Sequence, residues 1–561
     1  GTTTINATTF LNSVSTTGTG DQVVINGGAV NIANTINATG MDIRINAAGS
    51  VLDSEAGGTN KVTADKLTIV ATGNGAAIGA TGAVIETTAA ELILSTQFNG
   101  GTSGAIWIDD KTTATTTLTA TTDGDSTVTS GLINITSAAS LSIASVSSVG
   151  STTGNLVTLA TTKNGGTIDD ATAGIDVVVD ISGTTVTLDS QGNIGATGDG
   201  EELDISATVL DITTADNAGA AGTSGTMFIQ ELSATDTKLT LDTEDVTNSG
   251  AIFIDSAGSL TIDAIASGGA VTALGTVTLL TTKDGGTIAD FATTNNTAAD
   301  ITGSTVKLDS QSDIGVTGSG RELDISAAIL DVTTVAGGTA TTTSGTIFIQ
   351  ELSTADTKLT LDTENLTNSG AIFIDSAGSL SIDAIASGAG ATASTVTLLT
   401  TKDGGTIFDF ATTNNTAADI TGSTVKLDSQ GNIGVTGDGR ELDISAAALD
   451  ITTLDNAGAS GTSGTIFIQE LSAGDTKLTL DTEDETNSGA IFIDSAGSLT
   501  IDVIASGAGA TAKTVTLLTT KAGGTIADFA TTDNTAADIT GSTVKLDSQG
   551  NIGVTGDGRE L

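Results

Sequence analysis

GTSGTMFIQEL, residues 222–232, returns as TTSGTIFIQEL at 342–352 and as GTSGTIFIQEL at 461–471, with a worn copy, GTSGAIWIDD, at 101–110. A second string keeps the same beat: TVKLDSQ begins at Thr305, Thr424 and Thr543, and TVTLDSQ begins at Thr185. The chain therefore repeats about every 120 residues. Such a period marks stacked repeat architecture, in which each unit buries its apolar face against its neighbours. It bears on function too, because chemistry at one unique site needs no four copies of the same wall.

Inside each copy the apolar residues alternate. In Lys238-Leu239-Thr240-Leu241-Asp242 the leucines point one way and the polar residues the other. Val306 and Leu308 alternate with Lys307 and Asp309 in the same manner, as do Leu260 and Ile262 with Thr261 and Asp263. Period two is the signature of a half-buried strand, and no stretch shows a 3.6-residue period with helix caps. Turn residues that tolerate positive φ punctuate the strands, as in Asp284-Gly285-Gly286, Asn432-Ile433-Gly434, Thr436-Gly437-Asp438-Gly439 and Asn368-Ser369-Gly370. Landmark strands begin at Ile347, Ile372, Val396, Val425 and Leu442 before Ile466 restarts the cycle. This parsing predicts five coils per unit, each of ~24 residues with two or three short strands, stacked as a parallel β-helix. At ~4.8 Å between stacked strands, one unit advances ~24 Å and the whole chain extends roughly 110 Å.

Composition narrows the function classes. Pro, Cys, His and Tyr are absent and Gly numbers 71, but 38% hydrophobic residues in alternating runs argue for order rather than disorder. The formal net charge is −48, from 66 acidic and 18 basic residues. Nucleic acid is excluded as a partner, since phosphate recognition needs a basic footprint. Adsorption to an anionic membrane is disfavoured on the same ground, and no apolar run is long enough to span a bilayer. Without cysteine there is no disulfide framework and no thiolate chemistry. No signal peptide opens the sequence, and it stops at Arg559-Glu560-Leu561 in a unit that elsewhere continues as RELDISAA (321–328, 440–447). It reads as a segment of something longer.

The ordered set GTIFIQE, TKLTLDT, SGAIFIDSAGSLTIDAIASG, TVTLLTTKDGGTI and ADITGSTVKLDSQGNIGVTGDGRELDIS resembles the repeats of giant bacterial surface adhesins of the filamentous-haemagglutinin-like class. Those proteins are secreted by two-partner or autotransporter routes. The resemblance covers about residues 75–561. Residues 1–74 share its texture, as in Gly27-Gly28-Ala29-Val30-Asn31-Ile32 and Asp42-Ile43-Arg44-Ile45-Asn46, with a weaker register. It implies a right-handed parallel β-helix, an extracellular or cell-surface location and a fibrous shaft. It carries over no binding or catalytic residue. The expected organisation is a divergent stretch at 1–74, degenerate first units at 75–221, and repeat units at 222–341, 342–460 and 461–561, about 23 coils in all.

Outward aromatics are the leading candidate surface. Alternation exposes Phe253 between Ile252 and Ile254, and equally Phe228, Phe348, Phe373, Phe467, Phe492 and, in the worn copy, Trp107. Phe228 and Phe253 lie one coil apart and should stack, with such pairs recurring along one face. Either a flanking loop such as 268–275 or 410–422 covers them, or they are a seam for lateral packing against another rod or a partner. The carboxylates of Asp242, Asp255, Asp263 and Asp309 suggest a solvated face or, less favoured, Ca²⁺ ladders. Neither a GGxGxD nonapeptide repeat nor a DxDxDG loop is present. No other cofactor is expected. Lys163, Lys283, Lys402 and Lys521 each stand just before a Gly-Gly turn, and with Lys238 and Lys358 they should relieve repulsion between stacked carboxylates. The expected role is structural and non-enzymatic: a shaft, part of one very long chain or of chains stacked end to end, able to self-associate and to meet surface glycans or proteins of a host or neighbouring cell. The alternatives are a carbohydrate-active β-helix enzyme using paired carboxylates and a Ca²⁺-dependent surface-binding repeat. Thr-x-Thr pairs such as Thr276/Thr278 and Thr395/Thr397 are too sparse to make a flat ice-binding face.

Overall fold

The computed structural model describes residues 2–7, 14–15, 22–54, 62–97, 101–123, 130–150, 155–172, 178–197, 202–215, 224–244, 248–268, 274–292, 298–316, 322–335, 344–364, 368–388, 393–411, 417–435, 441–454, 463–483, 488–507, 513–530, 536–554 and 561. Among them there are strands and turns and no helix, as the period-two pattern predicts. The chain forms two compact units, Gly1–Leu280 and Thr281–Leu561. Each is a parallel β-solenoid.

In the first unit, one ladder climbs through Val23, Ile43, Leu67, Leu92 and Leu118. Through the Leu141–Val149 strand it continues to Ile168, Ile194, Met227 and Ile252. A second climbs through Ile78, Ile106, Ile133, Val157, Val186, Leu210, Leu239 and Ile262. Aliphatic side chains fill the middle of both ladders, with buried Thr, Ser and Glu at the strand ends. Val23, Leu92, Ile106 and Leu239 are all fully buried. Each such side chain contributes about 2 kcal/mol on burial. Most outward partners are polar or aromatic, with aliphatic exceptions such as Val209 and Leu399, and the strand Thr237–Thr243 alternates buried and half-buried along its whole length.

The second unit corrects the expected coil count. Its first ladder runs Ile288, Ile314, Ile347, Ile372, Val396, Val425, Leu449, Leu478, then through the Ser498–Ser506 strand to Ile526. Ile288 and Ile526 occupy the same place in units two repeats apart, and nine coils separate them. One 120-residue repeat therefore makes four and a half coils, not five, and the chain holds fewer than the ~23 coils expected. Leu442 is the landmark that misleads. Its strand, Leu442–Ser445, pairs with Ile468 on the second ladder, while Leu449 follows Val425 on the first. Steps between paired residues on neighbouring coils run from 20 residues (Val23 to Ile43) to 35 (Ile385 to Ile420), a wider spread than the ~24 expected. Asn432-Ile433-Gly434 is likewise more than a turn: Ile433 is a buried rung between Ile407 and Ile466, and only Gly434, at φ 69°, takes the left-handed conformation.

The half coil has a geometric result. The second ladder runs Val306, Leu330, Leu359, then through the Leu380–Ala386 strand to Ile407, Ile433, Ile466, Ile491, Val515 and Val544. Ile347 thus stands on one ladder and its counterpart Ile466 on the other. Successive repeats present the same residues on alternate ladders.

One corner of the coil is built from glycine. A Cβ on Gly345 would overlap the Ser312 carbonyl, one on Gly370 the Gly345 carbonyl, one on Gly464 the Gly431 carbonyl, and one on Gly489 the Gly464 carbonyl. Buried hydroxyls close this corner. Thr334 Oγ1 donates to Gly345 O at 2.8 Å and Ser387 Oγ to Gly370 O at 2.8 Å, which satisfies carbonyls that turn out of the strand ladder.

Candidate interaction surface

The aromatic residues expected to face outward do so, on strands one coil apart. Phe228 and Phe253 stack with ring centroids 6.1 Å apart, Phe348 and Phe373 at 5.4 Å, and Phe467 and Phe492 at 5.8 Å. All six rings are half-buried. Each column has the same make-up. Gly315 stands at the outward position next to Phe348, followed by Phe373 and Thr397; Gly434, Phe467, Phe492 and Thr516 repeat it. In the first unit Gly195 precedes Phe228, and Gly79 precedes Trp107, whose next neighbour is Asn134 rather than a second ring. An aromatic ring beside a glycine covers backbone that the glycine leaves bare. Stacking and this cover both contribute to the half-burial. Of the loops considered as covers, 269–273 and 412–416 lie outside the described residues. Recurrence along one face does not hold: Phe348 and Phe373 are on one ladder of the second unit, and Phe467 and Phe492 on the other. Phe373→Ala is expected to cost about 2 kcal/mol in chemical denaturation, since it removes a ring and its stack together.

More exposed rings escaped the sequence reading. Phe291, Phe410 and Phe529 are about half exposed, at 50%, 48% and 46%. They follow the short strands Ile288–Asp290, Ile407–Asp409 and Ile526–Asp528, where alternation breaks off after three residues and leaves no parity to read. Lys358 Nζ sits 4.1 Å from the Phe410 ring centroid and 3.0 Å from Asp383; Lys477 stands 4.2 Å from Phe529 and 2.9 Å from Asp502.

The lysines divide into two kinds. Strand lysines meet a carboxylate on a neighbouring coil, as Lys238 meets Asp263 at 2.9 Å and Lys426 meets Asp450 at 3.4 Å. These exposed pairs relieve repulsion and add little stability of their own. Two of the turn lysines instead reach backbone 48 residues back: Lys402 Nζ donates to Thr354 O and Lys521 Nζ to Ala473 O, both at 2.8 Å.

Of the carboxylates singled out for calcium, Asp255, Asp242 and Asp309 take outward strand positions and Asp263 pairs with Lys238. Among the described residues no three Asp or Glu side chains assemble into a group suited to a metal ion. Other carboxylates are buried. Asp324 N–H donates to Asp300 Oδ2 at 2.9 Å and Asp443 N–H to Asp419 Oδ2 at 2.8 Å, across adjacent coils. Burial, with Asp300, Asp290 and Glu322 nearby, pushes Asp324 up to about 7. Burial with Asp409 and Glu441 pushes Asp443 up to about 6. The sequence reading also passed over Glu351, although parity with Ile347 and Ile349 points it inward.

Compared with family models, curated proteins and solved structures, the chain matches none of them. Its class follows from the coil stack alone: it is a parallel β-solenoid repeat protein. No helix among the described residues is long and apolar enough to cross a membrane.

Proposed function

We propose that the chain is a structural shaft, part of a bacterial extracellular or cell-surface adhesin or fibre. One observation carries this reading: every distinctive arrangement recurs from unit to unit. The stacked phenylalanines, the Lys–Asp–Phe groups and the buried Asp300/Asp324 pair all have counterparts one repeat away. An active site needs a place unlike its surroundings. Here even the paired carboxylates, the one feature that favours a polysaccharide-cleaving enzyme, come once per repeat and are buried. Aliphatic ladders supply stiffness, and the acidic exterior supplies solubility and spacing. The half-exposed Phe410 and Phe529, with the stacked pairs, are the surface through which such shafts would meet one another or a neighbouring cell.

Antibodies raised against residues 222–561 and viewed by immunogold electron microscopy on intact cells test this. Gold along surface appendages is the expected result. Gold confined to the cell interior, or release of reducing sugar from polysaccharides by the pure protein, would overturn it.

A further inference from the structure

Each well-formed repeat encloses one glutamate that solvent does not reach: Glu231, Glu351 and Glu470 are all 0% exposed. Glu351 Oε1 accepts N–H bonds from Ala327 on the preceding coil, at 3.2 Å, and from Ser353 on its own coil, at 2.9 Å. Oε2 lies 3.4 Å from Ser376 Oγ on the following coil, and the Thr357 hydroxyl also bonds the carboxyl. Glu470 repeats the set with Ala446, Ser472 and Ser495, and Glu231 with Ala207, Ser233 and Ser256. In the worn copy Asp110 takes this place, bonded by Thr87, Thr112, Thr116 and Ser137. One side chain thus ties three successive coils.

The groups facing this carboxyl are amides and hydroxyls. Charged neighbours on the packed strands hold other positions: Asp324 and Asp375 register with Gln350, and Lys358 pairs with Asp383. An ionised carboxylate enclosed without a cation is costly, whereas a neutral one keeps an O–H that the Ser376 hydroxyl can accept. We propose that these glutamates are proton-operated clamps, one per repeat, that hold three coils together when neutral and loosen the stack when they ionise.

Burial pushes Glu351 up to about 7 against the opposing pull of its hydrogen bonds, and raises Glu231 and Glu470 for the same reason. In the unfolded chain the same group ionises near its ordinary 4.5. Its contribution is therefore full below that value and is lost as pH rises through about 7. For Glu351 alone this is on the order of a 100-fold weakening of the folding equilibrium.

Asp324 and Asp443 titrate in the same window, so the test needs a variant. The triple substitution Glu231→Gln, Glu351→Gln, Glu470→Gln removes the protons and keeps the shape. Unfolding midpoints in guanidinium at pH 5.5 and pH 8 are expected to fall far less for the variant than for the unaltered chain. Carbon-13 NMR of the unaltered chain, labelled at the glutamate side-chain carboxyl carbon, should show a Glu351 resonance titrating near 7, and Glu231 and Glu470 resonances titrating above the ordinary glutamate range, that the variant lacks. Equal falls in both proteins would overturn the proposal. Should the variant not fold, glutamates that all titrate below about 5 in the unaltered chain would overturn it equally.

Discussion

Replacing Gly464 by alanine is expected to destabilise the second unit by about 3 kcal/mol, more than most surface or loop substitutions anywhere in the chain. The new methyl group would overlap the carbonyl of Gly431 and the amide of Asn432. Both are backbone, fixed by the coil beneath, so neither can rotate away as a side chain would. Relief requires the two coils to part at this corner, and that strains the bonds from Thr453 Oγ1 to Gly464 O (2.9 Å) and from Gly489 N to Ser463 Oγ (2.9 Å). Gly474 provides the contrast. Its nearest neighbour to an added Cβ is Ser472 Oγ at 3.4 Å, and the equivalent positions are occupied by Thr235 and Ala355. Gly474→Ala should be neutral or stabilising by about 0.5 kcal/mol, through reduced freedom of the unfolded chain. Guanidinium denaturation of both variants checks the pair. Equal effects would show that the glycine corner is not a close contact.

Excision of residues 347–465, which joins Thr346 to Ile466, is expected to leave a folded protein. The junction recreates Thr346-Ile347-Phe348-Ile349 with identical residues, and Ile466 then stacks on Ile314 as Ile347 does now. Everything downstream moves to the opposite ladder, which the solenoid accommodates because both ladders already accept every part of the repeat. Excision of residues 347–406, half a repeat, should fail. It sets the three-residue strand Ile407–Asp409 where the five-residue strand Ile347–Glu351 belongs. It also discards Glu351 and Phe348. Circular dichroism and limited proteolysis distinguish the two: a protease-resistant β-protein from the first and a degraded one from the second. Comparable resistance would mean that matching positions within the repeat at the junction carries no structural weight.

How much of this could be read without coordinates depends on which physical signal reports which property. Parity reports the two sides of a strand, so Leu239, Leu241 and Ile252 inward and Phe253 outward were all legible. Parity also marks Glu351 as inward, but a charged residue at a strand's end is easily taken for the start of a turn. The ladder to which a strand belongs leaves no such mark. Leu442 and Ile444 alternate as well as Val425 and Leu427 do, and only the length of the intervening corner decides which ladder they join. Corner lengths vary, so the half coil per repeat stayed hidden, and with it the alternation of the phenylalanine columns. Phe410 was illegible for a simpler reason: its strand is too short to have a pattern.

The bonds from Lys402 to Thr354 and from Lys521 to Ala473 each pass over an intervening coil. Under tension a solenoid unravels from its end, one coil at a time, each rupture paying out a single loop of chain. Where a turn lysine grips the second coil along, an outer coil cannot leave without also loosening its hold on a coil still two layers down. The pulling record of the second unit should therefore be uneven, with a firmer step where each of these two lysines lets go rather than a run of equal ruptures.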